Sequence, residues 1–356
     1  MTELHDRPLP TRDRLEELLG QFADKRVLLV GDAAADVYIE GRTIRLSREA
    51  PVPIIRETRR FTVPGQAGNV AINLASLGAE VELACLLGDE PESDALREAL
   101  EAKGVSLNAS VTWPGYTIPT KTRLLAGAPH TRLQQVVRLD REPEKAPDTA
   151  IIDQLLGKLK YVLPNAQAVI ASDYGYDTVS GEVWKWLRAE TEKRGIPLIL
   201  DSRHRLGELK NADLITPNEQ EAVALAAWDD SSDVMDASTL GRVCQELSKA
   251  KTVLLKRGNQ GMHLFQPADD SPVSNAANLR ESAFGVFGPA DAVDVSGAGD
   301  TVVATVTLGK LAGGSWEEAS HLANIAAGLT VQRMGACATT PDEMRHALAD
   351  WPQDLR

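Results

Sequence analysis

Cysteine is scarce in these 356 residues. Cys85, Cys244 and Cys337 are odd in number, far apart and form no CxxC pair. They suggest neither a disulfide framework nor a zinc site, and buried thiols in a reducing cytoplasm are the expectation. Basic charge is also short: 51 acids against 38 bases leave a net charge of −13. An acidic surface repels phosphate backbones, which argues against a general nucleic-acid binder while leaving room for a local basic pocket. Long apolar runs are lacking. Thr301 to Leu308 is among the longest and falls far short of the ~20 residues that cross a bilayer, so no membrane partner is expected. The opening MTELHDRPLPTRD has no apolar core of a secretory signal. There is no polyglycine or polyproline linker and no repeat of fixed period. Neither GxxxxGK[ST] nor a GxGxxG after the first strand occurs, which argues against a P-loop enzyme and a dinucleotide site.

What is present is ordinary for a globular chain, with 43% hydrophobic and 25% charged residues. Length alone suggests about two domains, but the pattern favours one. LEELLGQF (Leu15–Phe22) reads as an N-terminal helix. Short apolar runs then end in polar residues at Arg26–Asp32, Val81–Asp89, Ala166–Asp173, Pro197–Ser202, Asp213–Asn218 and Lys251–Gly258. Buried parallel strands look like this. Helical stretches alternate with them, including SDALREALEAKG, SGEVWKWLRAETEKRG and Leu240–Lys249. The expectation is an α/β fold, a mostly parallel sheet with helices on both faces. Ile39–Val63 and Val111–Leu139 break the alternation with strand-like, proline-containing segments. They predict a small β lid over the carboxyl ends of the main strands. One domain over residues 1–356, with lid insertions near 39–63 and 111–139, is the organisation expected.

The sharpest chemical signal is Ala292–Gly314, AVDVSGAGDTVVATVTLGKLAGG. A strand-like stretch ending at Asp294 leads into SGAGD and an apolar helix. Gly297, Ala298 and Gly299 let a ligand approach the backbone closely, and their N–H groups would open a helix that favours an anion. Asp300 would be repelled by a bound phosphate unless it had a task, and general base for an attacking hydroxyl fits. A helix cap at Ser296 or Asp294 with a first-turn acid is the plainer reading.

Five parts occur in order: GDxxxD (Gly31–Asp36), GxxxN (Gly65–Asn69), NxxE (Asn218–Glu221), KRGNQG (Lys256–Gly261) and DxSGAGD (Asp294–Asp300). Together they resemble the ribokinase-like (PfkB) carbohydrate kinases across nearly the whole chain. LSREAPVPI (Leu46–Ile54), NVAINLASLGA (Asn69–Ala79), VVRLDRE (Val136–Glu142), ASDYG (Ala171–Gly175) and LITPNEQEA (Leu214–Ala222) are similar to one subgroup, the D-glycero-β-D-manno-heptose 7-phosphate kinases. That subgroup is often fused to an adenylyltransferase; no HxGH signature precedes Arg356, so a kinase domain alone is expected.

The resemblance implies an ATP- and Mg²⁺-dependent cytoplasmic sugar kinase, with a monovalent cation and a homodimer through the lid as further features. Asp36 and Asn69 would bind sugar hydroxyls, with the Gly65 to Gly68 backbone around the sugar. Asn218 and Glu221 would organise Mg²⁺ through water near the ATP phosphates, or else form a helix cap with a first-turn acid. Lys256, Gly258 and Gly261 would line the nucleotide site, though a turn between two strands explains those glycines equally well, and Asn324 would face adenine. Arg123, Arg132 or Arg138 would meet a substrate phosphate, or else be solvated surface arginines. Helix packing accounts for Trp184, Trp186, Trp228 and Trp316. The chain departs from the subgroup at Gln66, where glycine is usual, at Tyr176-Asp177, where Lys-Gly is usual, and at Ser202-Arg203, where Pro-Lys is usual. Another sugar, sugar phosphate or nucleoside as acceptor, or a silent sugar- or nucleotide-binding protein, therefore stays open.

Overall fold

The computed structural model describes residues 9–128, 131–227, 235–268, 278–288, 292–335 and 337–349. The chain runs α1 (Arg12–Gly20), β1 (Arg26–Gly31), β2 (Ala33–Leu46), β3 (Pro53–Gln66), α2 (Ala67–Ser76), β4 (Glu80–Ala84), β5 (Leu86–Leu87) and α3 (Pro91–Glu101). It continues through β6 (Val111–Thr112), β7 (Thr120–Gly127), β8 (Gln134–Arg141), α4 (Thr149–Val162), β9 (Ala168–Asp173), α5 (Gly181–Arg194), β10 (Leu198–Ser202) and β11 (Leu214–Ile215). The last part holds α6 (Glu219–Leu225), α7 (Ala237–Ser248), β12 (Thr252–Lys256), β13 (Met262–Pro267), β14 (Leu279–Phe284), α8 (Ala298–Leu311), α9 (Trp316–Thr330) and α10 (Pro341–Ala349).

Eight strands form the main sheet in the order β14-β13-β12-β11-β10-β9-β1-β4. The six from β12 to β4 are parallel, and β13 and β14 join antiparallel. The apolar runs read from the sequence are these strands. Val27–Val30, Val169–Ala171, Leu198–Leu200 and Val253–Leu255 are almost wholly buried, as strands covered on both faces must be. β1 lies between β4 and β9, so the chain leaves it in both directions. Ligands bind at such a reversal, outside the carboxyl ends of the strands.

A second sheet, β3-β2-β7-β8, rises from those ends. Its position answers to the expected lid, with different bounds. β2 starts at Ala33, directly after β1, and pairs antiparallel with β3 as far as Gln66. Two long strands stand where short segments over Ile39–Val63 were expected. Val111–Thr112 does not join the lid and pairs with β5 in a separate two-stranded sheet. Trp184, Trp186 and Trp316 lie on helices as expected, and Trp228 falls outside the described residues. Among the described residues, no helix is long and apolar enough to cross a membrane.

Candidate active site

Two helix openings converge at the carboxyl edge of the sheet. α2 begins at Ala67 and α8 at Ala298, and a polar stitch binds them. Thr301 Oγ1 donates to Asn73 Oδ1 at 2.9 Å, and Asn73 Nδ2 donates to Asn69 O at 2.9 Å. Buried polar groups hold such geometry because leaving any of them unpaired costs about 1–3 kcal/mol. The stitch sets Asn69, in the first turn of α2, against Asp300, in the first turn of α8. Asn69 Nδ2 donates to Asp300 Oδ2 at 2.6 Å. Tyr174, just beyond β9, donates its phenol hydrogen to Asp300 Oδ1 at 3.2 Å. Burial pushes the Asp300 carboxyl up to about 6; the Asn69 bond opposes this, the Asp201 charge adds to it, and Lys256 and Tyr174 pull it back.

The segment before α8 departs from the sequence reading. Ala292–Asp294 is not a strand. The Val293 and Asp294 N–H groups both donate to Val331 O, at the end of α9, at 2.8 and 3.1 Å. A single carbonyl at a helix end extends no ladder, so the segment is a tether. The helix cap is Gly297 at φ 80°, with no side-chain capping bond, in place of Ser296 or Asp294. Asp294 instead accepts from Ser296 N and Gly335 N, each at 2.9 Å. Of the Gly297–Gly299 amides, that of Ala298 is already turned to Val295 O at 3.3 Å. Those of Gly299 and Asp300 lie in the first turn, where the helix offers no acceptor.

Lys256, at the end of β12, faces this turn. Its amine would lie 3.3 Å from a Cβ at Gly299, so glycine there lets the cation and the helix opening meet. Lys256 Nζ bonds Asp201 Oδ1 at 3.0 Å, and Thr216 Oγ1 donates to the same oxygen at 2.6 Å. Burial lowers the Lys256 pKa, yet Asp201 and Glu221 outweigh it and the net shift is upward.

Asn218 and Glu221 form a reciprocal cap on α6. Asn218 Oδ1 accepts from Glu221 N and Glu221 Oε2 from Asn218 N, both at 2.8 Å. Burial raises the Glu221 carboxyl, and Lys256 is the largest influence opposing it. Among the described residues, no group of three or more His, Cys, Asp or Glu could hold a metal. Glu221 supplies the one carboxylate of this pair, and a hydrated magnesium ion needs only one or two.

Asp36 lies at the base of the lid on β2. Its Oδ2 would be 2.8 Å from a Cβ at Gly65, so glycine admits the carboxylate. Asp36 Oδ1 pairs with Arg123 Nη1 of β7 at 2.8 Å, and the guanidinium also sits 5.3 Å above the Tyr38 ring. Arg123 is thus neither a solvated surface arginine nor a free phosphate ligand. Arg132 is exposed, and the exposed Arg138 makes a two-pronged bond to Asp140. Gly68 packs on Pro64 at the opening of α2.

The structure does not gather every expected residue. Gly258 and Gly261 form the turn from β12 to β13, at φ 55° and 80°. A Cβ at Gly261 would strike Phe284 O, so the fold itself requires that glycine. Asn324 Nδ2 donates to Gly285 O at 2.6 Å, tying α9 to the segment after β14.

Sequence reasoning assigned no role to the loop after β9. Asp32 is buried, accepts from the Tyr174, Tyr176 and Thr178 amides at 2.8, 3.1 and 3.2 Å, and thereby shapes the loop. Burial raises its carboxyl and those bonds oppose the rise. Arg205 binds Asp173 and also donates to Asp177 Oδ1 at 2.8 Å. The departures meet here. Gln66, at φ 56° and ψ −130°, is buried with its Oε1 unpartnered. Tyr176 OH donates to Glu142 Oε1 at 3.1 Å. Asp201 and Tyr174 were within reach of the sequence, since both stand at carboxyl ends of strands, where ligand groups collect.

Residues 24–343 match the pfkB family carbohydrate kinase model. Bifunctional protein HldE of Nitrosococcus oceani is 38% identical over 333 residues, covering 93% of this chain and 65% of that protein. Bifunctional protein HldE of Desulfatibacillum aliphaticivorans is 32% identical over 335 residues, covering 93% and 64%. The chain thus spans somewhat less than two thirds of the length of these relatives. Among solved structures, Arabidopsis thaliana ribokinase complexed with ribose and ATP aligns with a TM-score of 0.65 at 22% identity, covering 92% of this chain and 99% of that one. Escherichia coli phosphofructokinase-2 in complex with fructose-6-phosphate gives 0.65 and 22%, covering 92% and 98%. The fold is ribokinase-like, and the chain belongs to the pfkB family of carbohydrate kinases. It is an ATP-dependent sugar kinase.

Proposed function

We propose that the acceptor is the anomeric hydroxyl of D-glycero-D-manno-heptose 7-phosphate, phosphorylated to the 1,7-bisphosphate. The observation that carries the reaction is Asp300, held by Asn69 and Tyr174 at the mouth of α8 with Lys256 alongside. In this reading the sugar lies between the lid and the sheet, against Asp36, Asn69 and the Gly65–Gly68 backbone. Asp300 takes the hydroxyl proton as the oxygen attacks the γ-phosphorus in line. The first-turn amides of α8 and the Lys256 amine face the charge that grows on the phosphoryl oxygens. Asn218 and Glu221 would hold a hydrated magnesium ion, whose charge would offset that of the phosphates. Lid closure keeps water from the γ-phosphate.

The heptose acceptor is supported by the subgroup motifs and by 32–38% identity to the HldE proteins over the same span. Gln66, Tyr176 and Asp177 favour a second reading, a different sugar or sugar phosphate. ADP release with Mg·ATP decides between them, measured with the heptose phosphate beside a panel of hexose and pentose phosphates, free sugars and nucleosides. Stimulation by the heptose phosphate alone is expected. Stimulation by another acceptor would overturn the heptose assignment and keep the kinase, whereas ATP binding with no turnover on any acceptor would favour a silent binding protein.

The lid also suggests a homodimer. Ile44, Leu46, Val136, Val137 and Leu139 are exposed on it, and β3 and β8 form its outer edges. Exposed apolar edge strands invite pairing with a second copy.

A further inference from the structure

We infer that Tyr174 is a positioning residue for the base, holding the Asp300 carboxylate ionised and aimed at the acceptor. The inference rests on Asp300 being the proton acceptor in the kinase reaction. Its observations are independent of which sugar binds. Tyr174 is the first residue beyond β9, and its amide is fixed by Asp32 at 2.8 Å. Asp173, one residue earlier, is held by Arg205 and by Ser202 Oγ at 2.6 Å. The backbone on both sides of the Tyr174 side chain is therefore anchored before the side chain makes any contact. The phenol then reaches Asp300 Oδ1 at 3.2 Å, on the oxygen that Asn69 does not hold.

Two donors, one to each oxygen, fix the plane of the carboxylate. An ionised carboxylate has about four acceptor positions, so one on either oxygen remains for the sugar hydroxyl. The 3.2 Å bond is long for O–H···O, as catalytic bonds often are before substrate is bound. The surroundings give the phenol something to oppose. Asp300 faces Asn69 from α2, Tyr174 from the β9 end, Asp201 from β10 and Lys256 from β12. Burial and Asp201 favour the protonated acid, which cannot act as a base. Asn69, Lys256 and Tyr174 favour the carboxylate. The Tyr174 phenol does not ionise to compete, because burial and the Asp300 charge push its own pKa well up. It stays a donor throughout the working range.

The test needs no acceptor at its first stage. Aspartate labelled with ¹³C at Cγ is titrated by NMR in the full chain, with Asp300 identified by its loss in Asp300→Asn. The wild-type midpoint should lie at about 6, and Tyr174→Phe should raise it by about one pH unit, the size expected for a charge-assisted hydrogen bond. Incorporating 3-fluorotyrosine at 174, a stronger donor of nearly the same shape, should lower it, which guards against a phenylalanine variant that folds poorly. ADP release with the acceptor that supports turnover should then show the acid limb of kcat/KM following the NMR midpoint in both variants, with KM for ATP unchanged. A midpoint that ignores both substitutions overturns the inference. So does a midpoint that moves while the acid limb stays, because Asp300 would then not be the base that Tyr174 serves. Absence of turnover with every acceptor would fail the kinase reading and leave the NMR result standing.

Discussion

Asn69 and Asp300 are separated by 231 positions in the chain, and 2.6 Å separates the amide nitrogen of one from the carboxylate of the other. Each comes from the first turn of its own helix, and the Asn73–Thr301 bond holds the helices in register. The acid therefore has a fixed orientation before any ligand arrives. Asp300→Asn keeps the shape and removes the proposed base. Turnover should fall by about 10²–10⁴-fold, the usual worth of a general base. ATP affinity, measured by calorimetry, should stay within about threefold, since the same first turn, Lys256 and Glu221 remain. Near-normal turnover would remove Asp300 from the role.

The same substitution should stabilise the fold. The Asp300 carboxyl is raised from 3.8 to about 6 in the folded chain, so the folded state binds the proton more tightly than the unfolded state. The stability linked to that proton is complete below pH ~4 and is lost as pH rises through about 6. At pH 7–8 the ionised acid is thus a cost to the fold. Asp300→Asn should gain about 1–3 kcal/mol there, the upper bound being the full rise in pKa converted at about 1.36 kcal/mol per pH unit. Urea unfolding at pH 8 and pH 4 checks this: the gain should be present at pH 8 and absent at pH 4, and an equal change at both would sink the account.

Which parts of this were legible in the chain follows from what makes a pattern local. β1, β9, β10 and β12 stand out as apolar runs because strands covered on both faces need no alternation. The start of β2 does not, because Ala33, Ala34 and Ala35 are small, buried and weak strand formers. Alternating apolar residues at Ala292–Asp294 mimic a strand, but the partner for their amides is Val331 O, a carbonyl the local sequence cannot reveal. SGAGD announced Asp300 through helix-opening chemistry. The roles of Tyr174, Asp201 and Arg205 depend on contacts between β9, β10, β12 and α8, and no spacing along the chain encodes those distances.

Gln66 occupies a conformation, φ 56° and ψ −130°, that glycine adopts freely and other residues only with strain. Such strain costs about 1–3 kcal/mol, and the unpartnered Oε1 adds to it. Gln66→Gly should raise stability by about 1 kcal/mol, after roughly 0.5–1 is lost to the freer unfolded chain. Residues strained at a crevice are commonly kept for binding, so KM for the acceptor should rise in the same variant while KM for ATP stays. A variant less stable than wild type would make Gln66 a structural residue.

If the lid forms a dimer interface, Leu139 lies where it matters, 64% exposed on the edge strand β8. Sedimentation at tens of micromolar should find the wild-type chain dimeric. Leu139→Arg should be monomeric with a nearly unchanged melting temperature, because most of the side chain is open to solvent within its own subunit. A monomeric wild type would refute the lid dimer.

Lys256 and Asp201 form an ion pair beside the opening of α8, each side chain 13% exposed and 3.0 Å apart. Removing one member of a buried pair leaves an uncompensated charge and costs about 3–5 kcal/mol; here, with some exposure and Glu221 nearby, about 2–4 is expected for Lys256→Met. Asp201→Asn should cost less, since Lys256 retains Glu221. The double variant Lys256→Met/Asp201→Asn should be more stable than Lys256→Met alone, with a coupling of at least about 1 kcal/mol. Function should not follow stability. ADP release by the double variant should stay as slow as that of Lys256→Met, because both lack the cation proposed to face the phosphoryl oxygens. Recovery of turnover along with stability would mean that Lys256 supports the fold and contributes nothing to the transferring phosphate.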